Sequence, residues 1–83
     1  MHEWLEKARV RLAEAARDDP SSYALSQKDI DDLLDLARVA AHESGERTNA
    51  PLLAYLVGLA HGRHGERDLS GLVDDVVGER PPT

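Results

Sequence analysis

The stretch "PLLAYLVGLA", Pro51 to Ala60, decides the fold. It is apolar almost all round, and a helix of that kind is buried on most of its faces. Pro51 belongs in the first helical turn, where a missing N–H leaves no bond unmade. Thr48 or Asn49 is the expected N-cap. A helix over residues 50–61, with its apolar span at 51–61, is therefore placed at the centre of the molecule, and the other helices are expected to cover it. Gly58 within it costs about 1 kcal/mol relative to alanine and is expected to mark a close helix crossing.

The segments on either side supply the covering. Upstream, a helix over 27–44 has a well-marked start: Ser26 as N-cap, Asp29 at N3, and Leu25 and Ile30 placed as a hydrophobic staple. Asp29, Asp31 and Asp32 crowd its first turns, where the helix dipole favours negative charge. Ile30, Leu33, Leu34, Ala37, Ala40 and Ala41 form one apolar stripe. Gly45 is the expected C′ residue. A first helix over 3–16 carries Trp4, Leu5, Ala8, Leu12, Ala15 and Ala16 near one stripe, with Glu3 and Lys7 as an i,i+4 pair. It ends before Asp19, which Pro20 disfavours in helical geometry. Downstream, "HGRHGER" turns the chain. Asp68 caps a short helix over 69–77, with Leu69, Leu72, Val73, Val76 and Val77 at helical spacing. Residues 78–83 read as a frayed tail. The expected fold is all-α: a compact bundle of three main helices plus a short C-terminal fourth, one domain over 1–83.

Composition removes several classes of function. Ten basic against sixteen acidic residues give a net charge of −6, which speaks against nucleic acid as a partner. No cysteine is present, so disulfides and thiolate metal sites are excluded, and a reducing cytoplasm is the expected compartment. No segment has the roughly 18 uncharged apolar residues of a membrane span. "MHEWLEKARVRL" lacks the continuous apolar core of a secretory signal.

The polar loop "AHESGERTNAP", Ala41 to Pro51, is the one candidate site. His42, Ser44, Arg47, Thr48 and Asn49 precede the N-terminus of the third helix. Helix N-termini suit phosphate or carboxylate, and arginine can add a bidentate clamp. The competing reading is a plain turn, with Thr48 and Asn49 capping and Arg47 paired to Glu43 or Glu46. His61 and His64 are three apart, but Gly62 and Gly65 signal that the helix is breaking there, so no metal site is expected. No GxSxG, P-loop or GxGxxG motif occurs. The paired aspartates at 31–32 and 74–75 read as exposed helix faces. No catalytic residue and no cofactor are assigned, and the chain is expected not to be an enzyme.

"DLLDLARVAAHESGERTNAPLLAYLVGLAHG", Asp32 to Gly62, resembles a small bacterial domain of unknown biochemical function. That domain is fused to, or encoded beside, the nucleotidyltransferase that makes molybdopterin-guanine dinucleotide. The matching elements are Trp4-Leu5, Leu33 to Arg38, Ala41-His42, Arg47, Ala50 to Leu52, Tyr55, and Gly58, Ala60 and Gly62. The family loop usually reads "RPAAP" where this chain has "RTNAP". The resemblance implies an accessory interaction module in molybdenum-cofactor biosynthesis, with the nucleotidyltransferase as its partner. Two alternatives stand beside it. One is a domain binding an anion or phosphate-bearing ligand through His42, Arg47, Thr48 and Asn49. The other is a self-associating helical domain, a homodimer, since the third helix is more apolar than so small a domain can readily cover.

Overall fold

A computed structural model describes residues 2–78. Four helices follow one another: α1 (Glu3–Ala16), α2 (Gln27–Ser44), α3 (Asn49–Arg63) and α4 (Leu69–Val77), with a 3-10 turn at Pro20–Tyr23 between the first two. No strand occurs among the described residues, so the all-α expectation of three main helices and a short fourth holds. Of the expected tail, residues 79–83 lie outside the described residues.

Local chemistry sets the helix ends. Ser26 Oγ accepts the Asp29 N–H at 3.0 Å, and the Asp29 carboxylate accepts the Ser26 N–H at 3.0 Å. This reciprocal capping box satisfies two donors that the first turn of α2 would otherwise leave unpaired. At the other end Gly45 adopts a left-handed conformation, φ 73°, and donates its N–H to the Ala41 carbonyl at 3.0 Å. The Asp68 carboxylate accepts the Gly71 N–H at 2.8 Å and starts α4. α3 is longer than expected at both ends. It begins at Asn49 and continues through Gly62 to Arg63, so the glycine costs helix stability without stopping the helix.

The core lies among α2, α3 and α4. Leu36 and Val73 are fully buried, with Val57 and Leu69 beside them. Leu33, Leu53, Ala54, Leu72 and Val77 close around this cluster. Each of the three helices packs against the other two. Lys28, paired with the buried residue Asp32 on the same helix, ties α2 to α4. The Asp32 carboxylate lies 3.3 Å from Lys28 Nζ, and the same ammonium donates to Ser70 Oγ at 3.0 Å. Reading residues 31–32 as one exposed face is therefore corrected: Asp31 is exposed, whereas Asp32 is buried.

Three further expectations are corrected. The other helices do not cover α3. Val57 is its one buried residue, Leu52, Tyr55, Leu56 and Leu59 stay exposed, and open space around Gly58 shows no close helix crossing there. At 100° per residue Leu52, Tyr55 and Leu59 point away from Val57 and Leu56 lies at its flank, so α3 is apolar toward the core and toward solvent alike. α1 does not cover it, because its backbone approaches the 3-10 turn and none of the other helices. The apolar stripe of α1 is not its inner face either. Trp4, Leu5 and Leu12 are exposed, whereas Ala13 is buried and Glu6, Arg9 and Val10 are half-buried.

Candidate functional site

The polar loop is built from its own hydrogen bonds. Ser44 Oγ accepts the Glu46 N–H and donates to the Glu46 carbonyl, both at 3.2 Å. The Glu46 carbonyl then accepts the Asn49 N–H at 3.1 Å, and the Arg47 carbonyl accepts the Ala50 N–H at 3.2 Å. Pro51 has no N–H. The first three positions of α3 therefore have no free backbone donor, and an anion site at a helix end depends on such donors. Thr48 occupies the cap position with helical backbone angles and makes no side-chain cap bond. These tight turns replace the side-chain cap expected from Thr48 or Asn49.

All of residues 42–49 are exposed. His42 sits in the last turn of α2. Arg47 forms no ion pair with Glu43 or Glu46 among the described residues. A shallow depression of about 450 Å³ opens nearby between α2 and α3, lined by Ala40, Glu43, Ser44, Asn49, Leu52, Leu53 and Leu56. Asn49 thus reaches the depression, whereas His42, Arg47 and Thr48 do not line it. Four apolar side chains and a carboxylate suit an incoming apolar group better than a phosphate.

The two histidines of the next turn are no closer to a metal site. His64 Nδ1 lies 3.6 Å from Glu66 Oε1, and no group of three metal-ligating side chains occurs among the described residues. His61 lines a wider groove of about 620 Å³ between residues 22–25 and α3. Asp29 also borders that groove, but its carboxylate is engaged by the Ser26 N–H.

The junction of α1 with the 3-10 turn holds the most developed polar arrangement outside the helix caps. The Arg9 guanidinium donates to the Pro20 carbonyl and, at 2.9 Å, to the Glu6 carboxylate. The hydrogen bond from Arg9 lowers the Glu6 pKa, and the same bond raises that of Arg9. The Ser21 backbone N–H, 2.9 Å from Asp19 Oδ1, lowers the Asp19 pKa. Tyr23 Oη donates to Asp18, which raises the Tyr23 pKa. These bonds fix the turn to α1 and leave the helix's apolar stripe facing outward. Between them lies a groove of about 300 Å³ walled by Leu5, Ala8, Arg9, Leu12, Tyr23 and Leu25. The sequence gives no warning of this anchor, because the acceptor is a backbone carbonyl eleven residues away.

The described residues thus present two open apolar surfaces, one on α1 and one on α3, and no convergent set of catalytic groups. No helix among them is long and apolar enough to cross a membrane. A family model described as a domain of unknown function, DUF6457, matches residues 1–80. Neither a curated protein nor a solved structure matches the chain.

Proposed function

We propose a non-catalytic docking role for this chain, which belongs to the DUF6457 family. The observation that carries this reading is the outward stripe of α1. Trp4 is 71% exposed and Leu12 55% exposed, on a helix whose backbone reaches no other helix. Tryptophan is a preferred anchor of protein interfaces, and contiguous apolar patches on small domains mark contact surfaces. The partner proposed is the nucleotidyltransferase that makes molybdopterin-guanine dinucleotide, and the role is that of an accessory module which contributes no chemistry of its own. Support for that partner is the sequence resemblance alone.

The test is an amide NMR titration of labelled protein with the same organism's nucleotidyltransferase. Saturable shifts along Trp4 to Leu12, and about 30-fold weaker binding by Trp4→Ala, are expected. Trp4→Ala should leave the fold unchanged, because the side chain is mostly in solvent. Spectra that do not respond at high enzyme concentration would remove the proposed partner.

A further inference from the structure

We propose that the open face of α3 is covered by a second copy of this chain, paired antiparallel through Leu52, Tyr55, Leu56 and Leu59. This goes beyond the docking role of α1 and stands or falls separately from it.

Two helices, α1 and α3, carry seven of the nine large hydrophobic side chains exposed among the described residues, and four of the seven, Leu52, Tyr55, Leu56 and Leu59, lie on α3.

Charge and register then select the occupant. The molecule carries six net negative charges, so most pairings of two copies bring acids together. α3, Asn49–Arg63, contains no acidic residue. Its exposed apolar residues fall at i, i+3, i+4 and i+7, the spacing of a helix-pairing seam. A two-fold axis midway between Tyr55 and Leu56 sets Leu52 against Leu59 of the second copy, and Tyr55 against Leu56. The same patch then serves both chains, as an isologous dimer requires.

The ends of the seam fit this direction as well. Arg63 lies at the C-terminal end of α3 on the same side as Leu52 and Leu56. Glu43 and Glu46 lie beside its N-terminal end. Antiparallel pairing carries Arg63 of each chain toward the Glu43 and Glu46 end of the other, whereas parallel pairing sets like charges together. The depression between α2 and α3 borders the seam through Leu52 and Leu56, giving room for apolar side chains from the second copy.

The full chain is tested by sedimentation equilibrium from micromolar to millimolar concentration. The wild type is expected to be a dimer, and Leu56→Glu is expected to raise the dimer dissociation constant at least about 30-fold with unchanged helical circular dichroism. Leu34→Glu, on the side of α2 away from Leu36, should remain dimeric. Because the described chain has no cysteine, single thiols can report the register. A Leu52→Cys chain mixed with a Leu59→Cys chain should cross-link on oxidation in preference to two Leu52→Cys chains. A wild type that stays monomeric throughout, a dimer unaffected by Leu56→Glu, or dominant 52-to-52 cross-links would each overturn the proposal. None of these readouts involves the nucleotidyltransferase, so they separate self-pairing from the docking role.

Discussion

Leu34 and Leu36 lie two positions apart on α2 and have opposite fates. Leu36 is fully buried, and Leu34 is 64% exposed. Leu36→Ala should cost about 2–5 kcal/mol, through lost transfer energy and the cavity left behind. Leu34→Ala should stay within about 0.5 kcal/mol. Urea denaturation of the two variants checks this, and equal costs would place the core elsewhere. The caps give a second contrast. Ser26→Ala should cost about 1 kcal/mol, because its hydroxyl accepts a backbone N–H. Thr48→Ala should be close to neutral, since its side chain makes no cap bond. A thermal shift as large for Thr48→Ala as for Ser26→Ala would contradict the loop geometry. Ser26, Asp29, Gly45 and Asp68 were legible in the sequence because each acts on backbone within a few residues. The burial of Asp32 was not, and its partner Lys28 is joined to Ser70 of α4, which lies 42 residues further along the chain.

The helices themselves were readable from periodicity, and the bounds of α1, α2 and α4 agree with the structure. The face that α1 turns inward was not readable, since the long-range Arg9 bond to the Pro20 carbonyl selects it. This junction should respond to pH. Glu6 and Asp19 have lowered folded-state pKa values. Their contribution is therefore present above the unfolded carboxylate values of about 4, and it is lost as pH falls through the folded values. Tyr23 is raised, so its contribution is present below the unfolded tyrosine value of about 10 and is lost as pH rises through the folded value. The amides of Ser21 and Tyr23 should shift at both extremes while those of Leu36 and Val73 respond less. A junction whose signals stay constant in acid would show that the Glu6 and Asp19 bonds do not hold it.

At the scale of the whole molecule, the apolar character of α3 reads in the sequence as a covered centre, whereas the structure leaves Leu52, Tyr55, Leu56 and Leu59 exposed. Periodicity describes one helix at a time, and the place of α1 depends on a contact between distant residues. The polar loop between α2 and α3 was legible as a turn, although its closure by the carbonyls of Glu46 and Arg47 was not, because any residue can supply them. Two open helix faces and no convergent catalytic groups among the described residues make docking the reading that best fits the molecule.

On the docking reading, α1 keeps its apolar stripe in water until a partner arrives. Trp4 is the only tryptophan in the chain, so its fluorescence reports that stripe directly. The free protein should emit like a hydrated indole and be quenched freely by iodide, at every concentration used to test pairing through α3. Blue-shifted emission protected from iodide in the free protein would mean that α1 is already covered, and would contradict the account.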